Sequence, residues 1–210
     1  MIISHRKKFI FIHIYKVAGL SIRAALQRYD DRSASDFPFY ENIKFALGKR
    51  FKSLSTWAID HIKAKEIKRH LDPLIYDSYF KFTFVRNPWD WQVSLYHFML
   101  QSPNHPQHRL ISRMKSFDEY IDWRINRDME LQFEFVYDTE GNKIVDFVGR
   151  FESLQNDFDE ACRRLNIETA TLPVINKSRH LPYREYYNER TRQMVAEAFK
   201  KDIETFHYEF

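Results

Sequence analysis

The chain has 210 residues, 44% hydrophobic and 30% charged, which fits one folded domain and excludes a disordered or low-complexity chain. A formal net charge of +4 and a pI near 9.0 suit an anionic ligand, while the lack of any dense basic run excludes a typical nucleic-acid binder. No stretch reaches the roughly 18–20 apolar residues that span a bilayer, and the lone Cys162 excludes an intrachain disulfide and points to a reducing, cytoplasmic setting.

Arg6-Lys7-Lys8 reads as the solvated flank of an N-terminal tail. The apolar run Phe9-Ile10-Phe11-Ile12-His13-Ile14 predicts a strand buried on both faces. It gives way to Tyr15-Lys16-Val17-Ala18-Gly19-Leu20 and then to helical spacing from Ser21 through Leu26. Residues 29–58 are mixed and are assigned to an acceptor-facing insertion or a short helix. The pattern from His61 to Leu71 predicts a helix ended by Asp72-Pro73. Tyr79 to Val85 predicts a second strand, broken by Arg86-Asn87-Pro88, with Pro88 in the first turn of a helix to about Leu100.

Ser116-Phe117-Asp118-Glu119 matches a capping box opening a helix through Arg127. Alternation over Gln132 to Tyr137 predicts a strand, with Glu140-Gly141-Asn142 as a hairpin turn before Lys143-Phe147. Val148 to Phe151 predicts a strand, Ser153 to Leu165 a helix, Pro173 to Pro182 a basic loop, and Asn188 caps a last helix through Phe206. The alternation of strands and helices predicts an α/β fold over residues 1–210: one domain with a mainly parallel central sheet flanked by helices.

The first strand–loop–helix carries the chemistry. A helix N-terminus offers unpaired N–H groups and partial positive charge to phosphate. Lys16 adds a mobile cation, Gly19 lets backbone approach closely, and Ser21 supplies a hydroxyl. The loop is not the G-x-x-x-x-G-K-[ST] of nucleoside-triphosphate enzymes.

A second segment, Phe82-Thr83-Phe84-Val85-Arg86-Asn87-Pro88-Trp89-Asp90-Trp91-Gln92-Val93-Ser94-Leu95-Tyr96, sharpens the reading. Together with His13 through Ile22 it resembles the two phosphate motifs of sulfotransferases that use 3′-phosphoadenosine 5′-phosphosulfate (PAPS). The likeness is to the carbohydrate branch, related to the chondroitin and heparan sulfate 2-O-sulfotransferases and their small bacterial relatives. Val148–Leu154, Leu172–Ser178 and Asp202–Phe210 look like that family too.

The resemblance implies a P-loop-like fold and sulfuryl transfer from PAPS to a hydroxyl, with a carbohydrate as acceptor and 3′,5′-adenosine bisphosphate as product. No metal is implied. It assigns Lys16, Val17, Ala18, Gly19, Leu20 and Ser21 to the 5′-phosphosulfate, and Arg86 and Ser94 to the 3′-phosphate. Lys177, Arg179, His180 and Arg184 make the 173–184 loop a positive edge, which reads as a solvated loop, as part of the 3′-phosphate clamp or as a docking strip for an anionic glycan. The family loop reads P-K-T-A-G-T-S; here Tyr15, Val17 and Leu20 replace Pro, Thr and Thr, removing a stiff residue and a phosphate-facing hydroxyl. Two other readings stay open: a kinase-type nucleotide enzyme, and a relative that holds an anionic nucleotide or glycan without chemistry.

A hydroxyl acceptor needs a base, and imidazole titrates in the right range. Among 9 histidines, His61 matches a histidine-plus-helix element ahead of the Arg-Asn-Pro strand in related carbohydrate sulfotransferases. The candidate catalytic residues are therefore Lys16, which would stabilise the leaving oxygen, and His61 as base. His13, a rival, reads as a hydrogen-bonded core histidine; His97 and His180 are weaker alternatives.

Overall fold

A computed structural model describes residues 1–33, 36, 60–175 and 180–210. Most of the segment 29–58, and Lys177 with the 3′-phosphate role expected of it, lie outside the described residues. In chain order the main elements are β1 (Ile2–Ser4), β2 (Phe9–Phe11), α1 (Gly19–Leu26), α2 (Ala64–His70), α3 (Pro73–Ser78), β3 (Phe80–Val85) and α4 (Pro88–Gln101). There follow α5 (His108–Ile111), α6 (Phe117–Arg127), β4 (Phe147–Arg150), α7 (Leu154–Arg164), α8 (Glu189–Ala198) and α9 (Lys200–Phe206).

The strands form one sheet in the order β1-β2-β3-β4, with β2, β3 and β4 mutually parallel and β1 antiparallel at the edge. This is the expected α/β architecture with a mostly parallel sheet flanked by helices. Phe11 pairs with Phe82 and Phe84 with Gly149 in register. A Cβ on Gly149 would lie 2.5 Å from the Phe84 ring, so the missing side chain makes room for that phenyl. The ring of Phe82 meets Phe9, Phe11 and Phe84 at 5.3–6.5 Å, an aromatic cluster in the core of the sheet.

Chain contacts divide the described residues into two compact units, Met1–Val85 with Glu134–Ile175, and Arg86–Phe133 with Asn176–Phe210. The first unit holds the sheet with α1, α2, α3 and α7; the second holds α4, α5, α6, α8 and α9.

Several expectations are corrected. Arg6-Lys7-Lys8 is not a tail but the turn joining β1 to β2, with Lys8 at φ 54°. Helix α2 starts at Ala64, so His61 precedes it in a turn; Pro73 ends that helix and begins α3, with the Asp72 side chain accepting from Leu74 N–H. The Gln132–Tyr137 strand is absent. Gln132–Phe135 is a 3₁₀ turn, and only a Tyr137–Lys143 bridge remains of the hairpin. The last helix is two, broken at Phe199.

Candidate active site

In the first unit β2 runs into the loop before α1. Lys16 and Ala18 both adopt left-handed backbone at φ 62°, with the buried Val17 between them at ordinary φ. Left-handed residues in alternation with right-handed ones can turn successive N–H groups toward one point, as in an anion nest. Non-glycine residues pay for such conformations, and they persist where surroundings over-determine them. Helix α1 has no acidic residue in its first turn and no side-chain cap at Ala18, so no side chain of its own first turn offsets its N-terminal dipole.

Ser21 is buried, and its Oγ accepts from Ile175 N–H at 3.4 Å, which leaves the hydroxyl proton as a donor. Leu20 is 44% exposed. Gly19 has a packing role beside the close backbone approach expected of it. A Cβ there would lie 1.8 Å from Cδ2 and Nε2 of His13, so the imidazole fills the notch that the glycine leaves.

The structure brings His61 to this loop across 48 residues of chain: its Nδ1 lies 3.0 Å from the His13 carbonyl oxygen, and the two rings are 4.4 Å apart. A carbonyl oxygen can only accept, so Nδ1 carries the proton and the lone pair of the neutral ring lies on Nε2. Tyr15, which stands where the family has proline, meets the His61 ring edge-on at 5.9 Å. Burial pushes the His61 imidazole down to about 4, against the opposing pull of the His13 carbonyl. Burial, with His61 as the next cause, holds His13 well below the ordinary histidine value. Both rings are neutral near pH 7.

The second unit begins with the other motif. Asn87 caps α4, its side chain accepting from Trp89 N–H at 3.1 Å, and Pro88 occupies the first turn. Asp90 accepts from Arg86 Nε at 2.8 Å, which fixes the plane of the guanidinium. Ser94 is buried in the second turn of α4.

Sequence reading missed what holds Arg86. Gln132 accepts from Arg86 N–H and donates to the Arg86 carbonyl, both at 2.8 Å, as a neighbouring strand would. The buried Asp202 carboxylate in turn accepts from Gln132 N–H at 2.9 Å and Phe133 N–H at 2.8 Å. Separations of 46 and 70 residues leave no local signal for either link. His97 and His180 stack on each other at 5.2 Å in this unit. Among the described residues no cluster of three or more His, Cys, Asp or Glu is arranged to hold a metal ion.

The family model for sulfotransferases matches residues 1–209, taking in both segments and both units. The chain belongs to the sulfotransferase family. Among solved structures, the fold of this sulfotransferase is similar to that of mouse sulfotransferase SULT7A1, a structure complexed with PAP. The TM-score is 0.54 at 15% identity, over 95% of this chain and 86% of that one. No curated protein sequence matches the chain. No helix among the described residues of this sulfotransferase is long and apolar enough to cross a membrane.

Proposed function

We propose that this sulfotransferase transfers the sulfuryl group of PAPS to a carbohydrate hydroxyl in the cytoplasm, its two units acting as one domain. The observation that carries the reading is the placement of His61 against the Lys16 loop, with Nδ1 committed to the His13 carbonyl. The nest at Lys16–Ala18 and the uncapped α1 terminus fit a 5′-phosphosulfate held by Lys16, Val17, Ala18, Gly19, Leu20 and Ser21. Arg86, Ser94 and Lys177 are assigned to the 3′-phosphate. A guanidinium fork held by Asp90 and a carboxamide-clamped backbone suit that task. The long Arg-Asn-Pro-Trp-Asp run supports the carbohydrate branch, and the single Cys162 fits a reducing compartment.

PAPS supplies the activated sulfuryl group. In this mechanism His61 Nε2 removes the acceptor's hydroxyl proton as the acceptor oxygen forms its bond to sulfur. Lys16 stabilises the negative charge that builds on the bridging oxygen as the sulfur–oxygen bond to phosphate breaks. The products are a sulfate ester, 3′,5′-adenosine bisphosphate and a proton held on His61.

The test is release of 3′,5′-adenosine bisphosphate from PAPS over a panel of saccharides and simple alcohols. Lys16→Ala is expected to abolish release. His61→Ala is expected to lower kcat by about 10²–10⁴-fold with nucleotide affinity largely kept. Tight bisphosphate binding without turnover on any acceptor would instead make the chain a non-catalytic binder. Unaltered turnover in His61→Ala would remove that residue from the mechanism.

A further inference from the structure

We propose that His13 is the positioning residue of this site: its carbonyl sets the tautomer of His61, and its ring, wedged into the notch at Gly19, sets where that carbonyl stands. The inference rests on the reading of His61 as the base.

His13 lies between β2 and the loop, three residues before Lys16, and is 5% exposed. Its Nδ1 is buried with no hydrogen-bond partner among the described residues. The expected hydrogen-bonded core histidine is therefore corrected at that atom: packing places the ring. One side meets the His61 imidazole at 4.4 Å, and Phe11 stacks on it at 6.0 Å with 22° between planes. The edge at Cδ2 and Nε2 occupies the space of the missing Gly19 side chain. A ring held on these sides by packing fixes the backbone that carries it.

The carbonyl of that backbone does the chemical part. A neutral imidazole interconverts between two tautomers, and only the form protonated at Nδ1 offers Nε2 as a base. When Nε2 takes the acceptor proton, the Nδ1–H to carbonyl bond becomes charge-assisted and steadies the imidazolium. A carboxylate orients the base in hydrolase triads; here a main-chain oxygen held by a wedged side chain has that function. The same arrangement links base and nest, because Gly19 stands at the N-terminus of α1.

The experiment combines nitrogen-15 NMR of the imidazoles in the full chain with steady-state kinetics. In the unsubstituted protein the His61 resonances are expected to report protonation at Nδ1. His13→Ala empties the wedge and is expected to give a mixture of tautomers, with kcat down roughly tenfold to hundredfold. His13→Phe restores the shape of the ring and is expected to recover the single tautomer and most of kcat. In the His61→Ala background, adding His13→Ala is expected to cost no further kcat, because the two act as one unit. A residue of merely structural value would lower the unfolding midpoint while leaving the tautomer alone.

A single Nδ1-protonated tautomer in His13→Ala would overturn the proposal, as would an equal loss of kcat with and without His61. Should His13→Ala fail to fold, His13→Phe still decides: a mixed tautomer there shows that ring shape does not set the carbonyl. If His61→Ala keeps full turnover the base reading fails separately, since the NMR result is read without substrate.

Discussion

Gly19 illustrates how one missing methyl group ties the loop before α1 to the side chain of His13. With His13 Cδ2 and Nε2 only 1.8 Å from where a Cβ would stand, Gly19→Ala forces either the imidazole or the loop to move. Overpacking of this kind costs about 1–3 kcal/mol. The expected result is a lower urea midpoint together with weaker 3′,5′-adenosine bisphosphate binding by calorimetry. Combining Gly19→Ala with His13→Ala should lose less stability than the two single changes added, because the clash is then absent. A second residue-scale consequence concerns the proposed base. His61 is held at about 4, so its neutral form is present throughout the physiological range. The kcat/KM profile should therefore stay flat on its acid side down to about pH 5 and break near 4, not near the ordinary histidine value of 6.5. A break near 6.5 in the free enzyme would show that another group controls activity.

At the level of elements, the arginine motif depends on a link between distant segments: Asp202 at the start of α9 caps the 3₁₀ turn at Gln132, and Gln132 clamps the backbone of Arg86. Asp202→Ala would leave two buried N–H donors without this acceptor, each costing about 1–3 kcal/mol. Urea unfolding should show a loss of roughly 2–6 kcal/mol for Asp202→Ala, and a smaller loss for Asp202→Asn, which keeps one carbonyl oxygen. No change in either variant would mean that the link contributes nothing. This network also shows where sequence reading stops. The first strand, the loop and α1 were legible because an apolar run, a lysine, a glycine and a hydroxyl follow in order along a few residues. Likewise Ser116 was legible as a cap, and its Oγ accepts from Glu119 N–H. Gln132 to Phe135 alternates polar and apolar like a strand, yet both Gln132 and Phe133 are buried. A carboxylate 70 residues away takes their N–H donors, which decides for a turn. His61 was found by family likeness alone; nothing in its own neighbourhood foretells the His13 carbonyl.

For the molecule as a whole, the buried imidazoles couple the site to folding. In the unfolded chain a histidine titrates near 6.5, whereas folded His61 titrates at about 4. Between those values the unfolded state binds a proton that the folded state does not, so protonation favours unfolding. The contribution is complete above pH 6.5, declines as pH falls, and is fully lost below about 4. The shift corresponds to about 3 kcal/mol at most for His61, and His13, shifted in the same direction, adds to it. Carboxylates held low titrate in a lower window. Glu160, for example, is pulled from 4.5 to about 2 by hydrogen bonds from Arg163 and then Arg164, so its protonation begins only where the imidazole effect is nearly spent. Urea unfolding measured from pH 7.5 to 4.5 should therefore show stability falling with pH, and the slope should diminish in His61→Gln, which fills the site without titrating. Equal slopes in the two proteins would show that His61 is not buried neutral in the folded chain. That outcome would remove the electrostatic basis for its use as a base near pH 5 while leaving the proposed role of the Lys16 loop untouched.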